Sequence, residues 1–106
     1  MEKDKILSKL ASMSVDSLDK LKDSKLVELR QVLKDYHLAK DEEITLRHEK
    51  RKRYLEDNSH NRVEQMLRAD EELYLLKKKI GALGTLKATV KLEIEMVNSY
   101  FWKAKQ

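Results

Sequence analysis

The chain has 106 residues, with 23 Lys+Arg against 19 Asp+Glu for a formal charge of +4, no Pro, no Cys and two Gly. That composition excludes collagen-like, disulfide-stapled and membrane-spanning classes. Charged side chains at 40% with aromatics at 6% suit solvated helices rather than a β-sandwich or a large α/β core, and leave little interior for an enzymatic pocket, so no catalytic activity and no cofactor are expected. The opening Met1-Glu2-Lys3-Asp4-Lys5-Ile6-Leu7 lacks an apolar run of signal-peptide length, which makes the cytoplasm the expected compartment, that of the host cell if the chain is viral.

Residues 1–23 read as an N-terminal helical arm. Ile6, Leu7, Leu10 and Met13 stand at helical spacing, and the polar pause Ser14-Val15-Asp16-Ser17 offers a cap for a second short helix holding Leu18 and Leu21. The arm is electrically neutral and needs something to pack on. Residues 24–106 are expected to form a second region, a helical hairpin for oligomerisation and nucleic-acid binding. A helix starting at Ser24 would carry Leu26, Leu29, Leu33 and Tyr36 on one stripe, widened by Val32. From Lys40 to Arg53 that stripe fades to Ile44 and Leu46, while charge runs from Asp41-Glu42-Glu43 to Arg47, Lys50, Arg51, Lys52 and Arg53, an order that suits the helix dipole. Asp57-Asn58-Ser59-His60-Asn61 marks the one clear loop.

Beyond the loop a heptad pattern takes over. Met66, Leu73, Ile80, Lys87, Ile94 and Phe101 occupy one position and Ala69, Leu76, Leu83, Val90, Val97 and Ala104 the other, with Lys87 the only polar member. The second row Leu75, Ala82, Thr89 and Met96 broadens the face and implies more than one neighbour. A single helix from Arg62 to Lys105 would be about 66 Å long, far beyond the ~13 Å radius of gyration of a compact domain this size. It must bend near Gly81 and Gly84, or have its edge covered by other copies and by the helix from Ser24. The expected architecture is therefore all-α, long amphipathic helices in a coiled-coil-like homo-oligomer, with Leu73, Leu76, Ile80, Leu83, Val90, Ile94, Val97 and Phe101 as oligomerisation residues. Each interior glycine costs roughly 1 kcal/mol relative to Ala. Close approach of a neighbouring helix is the expected compensation, with a hinge as the competing reason.

No catalytic or metal constellation stands out. His37 and His48 lie about 16 Å apart along a helix and His60 falls in the loop, so the three do not share one small cation. Gly81-Ala82-Leu83-Gly84 matches a KH-type GxxG only as a string, without flanking strands, and Asp41-Glu42-Glu43 has nothing nearby to raise a carboxyl pKa. Two basic clusters remain: Arg47, Lys50, Arg51, Lys52 and Arg53 followed by Tyr54, and Lys77, Lys78 and Lys79 followed by Lys87 and Lys91 with no acid between. Repeated cations of this kind bind phosphates by counterion release, and Tyr54, Tyr100 and Trp102 are candidates for stacking on unpaired bases. The competing account is that the cations solubilise helix flanks and Trp102 packs on a neighbouring subunit.

Leu67-Arg68-Ala69-Asp70, opening a long amphipathic helix that ends in Tyr100-Phe101-Trp102 with Lys103 and Lys105, resembles the UvsY family of phage recombination mediators. The preceding helix, apolar first and basic later over Leu26 to Tyr54, and the polar loop Asn58 to Asn61 fit the same order, so the resemblance covers roughly Leu26 to Lys105. It implies a homo-oligomeric accessory protein that binds single-stranded DNA coated by single-strand-binding protein and helps a RecA-like recombinase load. On that reading Arg47, Lys50, Arg51, Lys52 and Arg53 meet phosphates first, Lys77, Lys78 and Lys79 second, and Tyr54 stacks. The alternative is a helical scaffold or inhibitor whose partner is another protein. A weaker one is the opening helix of a SAP-type duplex-DNA module, suggested by Leu26-Val27-Glu28-Leu29-Arg30, Leu33-Lys34 and Leu38.

Overall fold

The structure, a computed structural model, describes residues 2–106, apart from the side chains at positions 2–4 and 6. Ile6, counted above in the arm's apolar spacing, therefore lies outside the described side chains, as does Met1. The chain is all-α with long, coiled-coil-like helices: α1 (Glu2–Ala11), α2 (Val15–Leu55), α3 (His60–Arg68) and α4 (Glu71–Lys105). No strand occurs among the described residues.

Three boundaries differ from expectation. The pause at Ser14 does cap a helix, its Oγ accepting the Ser17 N–H at 3.2 Å, but that helix is not short. It runs 41 residues without a break at Ser24, because Lys22-Asp23-Ser24-Lys25 contains no residue that stops a helix. A division at 23/24 thus falls inside α2. The loop is also shorter than expected: helix resumes at His60, where the Ser59 side chain accepts the Arg62 N–H as N-cap. Finally, Arg62 to Lys105 is two helices, with the turn at Ala69-Asp70.

Two compact units form: a terminal unit of Met1–Val32 and Leu86–Gln106, and a turn unit of Leu33–Thr85. In the terminal unit, α1, the start of α2 and the end of α4 share a core of Leu10, Leu18, Val97 and Phe101, flanked by Met13, Val15, Leu21, Met96 and Tyr100. The neutral arm has found its support on its own chain. Here α2 and α4 run antiparallel, with Lys22 over the Phe101 ring and Lys25 paired to Glu93 at 2.8 Å. In the turn unit, α3 buries Val63 and Leu67 against Leu73, with Leu46, Tyr54 and Leu55 packed around them.

The buried edge of α2 follows steps of three and four through Leu18, Lys22, Lys25, Leu29 and Val32, then Tyr36, Ala39, Glu43, Leu46 and Lys50, every one buried or half-buried. The stripe does not fade at Lys40; polar residues occupy it. Along α4 the heptad edge tracks burial closely, with Leu73, Val90, Val97 and Phe101 buried and Leu76, Ile80, Leu83, Lys87 and Ile94 half-buried. The chain's own helices thus cover much of the edge formed by Leu73, Leu76, Ile80, Leu83, Val90, Ile94, Val97 and Phe101, the residues expected to mediate oligomerisation. The second row is corrected: Leu75, Ala82 and Thr89 are exposed and only Met96 is half-buried. Neither glycine is demanded by crowding. A Cβ at Gly81 would meet nothing within 4 Å, one at Gly84 would lie 3.6 Å from Tyr36 Cε2, and α4 continues through both.

Candidate nucleic-acid interface

The basic segment of α2 separates into side chains with different duties. Lys50 is only 6% exposed. Its Nζ donates to Asp70 Oδ2 at 2.6 Å and lies 3.4 Å from Glu72 Oε1. Tyr54, one helical turn on, donates its hydroxyl to the same Asp70 Oδ2 at 2.9 Å, and Asp70 Oδ1 accepts the Leu73 N–H at 3.0 Å. Asp70 is thus the N-cap of α4 as well as the counter-charge of Lys50, with Glu71 and Glu72 placed favourably in the helix's first turn. Burial would raise the Asp70 carboxyl pKa, but the hydrogen bonds from Lys50, the Leu73 amide and the Tyr54 hydroxyl outweigh it and hold the group at about 2. The same hydrogen bond to Asp70 pushes Lys50 up against the opposing effect of burial, and pushes Tyr54 up with the help of burial. Lys50 and Tyr54 are therefore corrected as contacts to a strand: the amine and the phenol hold a helix junction together.

Arg47 and Arg51 are engaged as well. Arg47 pairs with Glu43 one turn earlier at 2.7 Å, and Arg51 reaches Glu64 on α3 at 2.8 Å while its Nε is buried without a partner. Both keep some exposure, but a phosphate would compete with a carboxylate at each. Lys52 and Arg53 are exposed in the last turn of α2, where cations favour the helix dipole, and have no ion-pair partner among the described residues. Lys77, Lys78 and Lys79 are likewise exposed on α4 without an ion-pair partner among the described residues. Successive helical residues are turned by about 100°, so these three fan around the outer half of α4 as a collar instead of forming one track. Lys79 borders a notch lined by Asp35, Leu38, Ala39, Glu42 and Leu83, and those acids offset its field. Lys77 and Lys78 are the freest members.

Reasoning from sequence missed the Lys50–Tyr54–Asp70 knot. The available signal was Asp70-Glu71-Glu72 before Leu73, a helix-start signature that splits the Leu67-Arg68-Ala69-Asp70 string. In the structure Leu67 and Arg68 end α3, the Ala69 and Asp70 N–H groups close it onto the Gln65 and Leu67 carbonyls, and Asp70 opens α4.

Two further features are open to solvent. In the turn unit an open apolar groove of about 460 Å³ is lined by Leu38, Leu46 and Leu76 with Asp41, Glu42 and Thr45. In the terminal unit Trp102 is exposed beside Lys105. Among the described residues no group of three or more His, Asp or Glu is arranged to hold a metal ion, and no helix is long and apolar enough to cross a membrane. No protein family, characterised protein or solved structure matches the chain.

Proposed function

We propose that the chain is a non-enzymatic accessory protein of DNA recombination, working in the cytoplasm of its host cell as a homo-oligomer. It binds single-stranded DNA without reading its sequence, acts on strands carrying single-strand-binding protein, and assists loading of a RecA-like recombinase. The observation that carries the binding step is the set Lys52, Arg53, Lys77, Lys78 and Lys79, exposed on rigid helices of the turn unit with no carboxylate in ion-pair distance among the described residues. Cations already held by acids release little on meeting a phosphate; Lys52, Arg53, Lys77 and Lys78 gain the full counterion term, and Lys79, beside Asp35 and Glu42, gains less. Each phosphate neutralised steepens log K against log salt by about 0.7 for a single strand. Self-association then rests on exposed apolar side chains such as Leu38, Tyr74 and Leu75, not on the covered heptad edge.

Fluorescence anisotropy of labelled oligo-dT at two salt concentrations tests the reading. Five phosphate contacts give a slope near −3.5 (about 0.7 per contact), and replacing the five cations with Gln abolishes binding while molecular mass by light scattering is unchanged. A flat titration in dilute buffer ends the proposal. A second reading is favoured by the groove of Leu38, Leu46 and Leu76: a helical scaffold or inhibitor whose partner is a protein that fills it. That reading predicts loss of partner binding on Leu38→Glu and indifference to the Gln variant.

A further inference from the structure

We infer that the face of α4 around Trp102 is a stacking site for an unpaired base of single-stranded nucleic acid. The inference rests on the strand-binding reading above but uses different residues, all in the terminal unit. Trp102 is the chain's single tryptophan and is 55% exposed in the last turns of α4, although its neighbour Phe101 is buried in the core. The indole is not loose: it stands edge-on to the Phe101 ring, centroids 5.7 Å apart at 75°, so the core fixes its orientation. The Lys105 ammonium lies 4.7 Å from the Phe101 ring centre and 5.3 Å from that of Trp102, which sets a cation beside an open aromatic surface.

Lys91, Asn98, Trp102 and Lys105 fall at i, i+7, i+11 and i+14 of one helix, hence on one face spanning about 21 Å at 1.5 Å per residue. Both lysines are exposed, and no acid occurs in residues 96–106. Glu95 is the one carboxylate on this face. A protein partner would seek an aromatic anchor among apolar companions, because interface centres are depleted of charge. The companions of Trp102 are cationic or polar instead, the surroundings that suit a base on the ring with phosphates on either side.

Trp102 being the sole indole, its emission reports this site alone. Titrating the full chain with labelled oligo-dT in dilute buffer should quench Trp102 in parallel with the rise in strand anisotropy. Trp102→Ala should weaken the strand about tenfold, Trp102→Phe less, with helicity by circular dichroism unchanged because the ring is exposed. Glu95→Gln should tighten binding by removing the one carboxylate on this face of α4. If anisotropy rises while Trp102 emission stays constant and Trp102→Ala binds like the parent, the stacking site is wrong and the strand-binding proposal survives. If no strand binds, both fall. If emission shifts with protein concentration in the absence of any strand, Trp102 serves self-association and the inference is overturned.

Discussion

Each unit attaches a short helix to the two long ones, and they do it with different chemistry. The terminal unit holds α1 with carbon: Leu10, Leu18, Val97 and Phe101 close over one another, and the ion pair that joins α2 to α4, Lys25 with Glu93, sits partly in solvent at the edge. The turn unit holds α3 with a smaller apolar trio, Val63, Leu67 and Leu73, and adds the buried Lys50–Tyr54–Asp70 knot. Apolar burial is tolerant of small shifts. A buried ion pair is not, since each charge has lost its water and depends on the geometry of the other. The turn unit therefore gains an exact register for the α3–α4 junction at the expense of sensitivity to any change at Asp70.

The largest expected effect tests that contrast. Asp70→Ala strips the counter-charge from a 6% exposed lysine, the acceptor from Tyr54 and the cap from α4 at once. A loss of about 4 kcal/mol in urea unfolding is expected, from the usual cost of stranding a buried charge. The double variant Lys50→Met with Asp70→Asn should recover most of it, because no naked charge remains and the cap survives. A cost below 1 kcal/mol for Asp70→Ala would mean that the knot is dispensable and that α3 is held by carbon alone. The matching test in the terminal unit is Leu18→Ala, expected to cost about 3 kcal/mol through lost burial and the cavity left behind, with no charge-neutral partner change able to rescue it.

How far the residues foretold this arrangement depended on whether one physical signal decided each feature. The edge of α4 was legible because nearly every member is apolar, and burial follows it from Leu73 to Phe101. The edge of α2 was not, because Lys25, Glu43 and Lys50 hold positions that in a simple pattern would be Leu. Their right to those places comes from Glu93, Arg47 and Asp70, and two of those three partners are remote in sequence. Length misled in the same way: Arg62 to Lys105 read as one rod, whereas the chain turns at Ala69-Asp70. For the candidate interface, the count of cations was plain but their duties were not. Lys50 and Lys52 look alike in a charge run and differ only because α4 begins next to one of them. Trp102 was distinguishable, since its heptad position lies off the edge that Phe101 occupies.

Acid separates the two units by a smaller amount. Asp70 is held at about 2 in the folded chain against an ordinary 3.8, so the charged form is favoured by folding. Its contribution is complete above about pH 4 and is lost as pH falls through the folded value, worth roughly 2 kcal/mol over that window. Lys50 and Tyr54 are displaced upward, so the stability they add is present below their ordinary values near 10 and fades only as pH rises through the raised ones. Between pH 5 and 2, methyl resonances of Val63 and Leu67 should lose dispersion before those of Leu18 and Val97. Asp70→Asn should abolish the difference. Simultaneous loss in both units would show that the knot does not set the acid stability of the junction.

The smallest effect sharpens the comparison from the opposite direction, as a gain. Gly81 and Gly84 both lie in the turn unit, within α4, and neither faces a contact that a methyl group would violate. Replacing either with Ala should remove backbone entropy from the unfolded chain and stabilise by up to about 1 kcal/mol, or some 4 °C in melting temperature. For Gly84 the gain is expected to be the smaller, since the new methyl must settle 3.6 Å from Tyr36. Gly81 is the more instructive site because a Cβ there would meet nothing within 4 Å. If Gly81→Ala raises the melting temperature of dilute protein yet lowers it at concentrations where light scattering shows association, the methyl is colliding with a second copy. Close helix approach, which the covered edge of α4 does not require, would then belong to the exposed side of that helix.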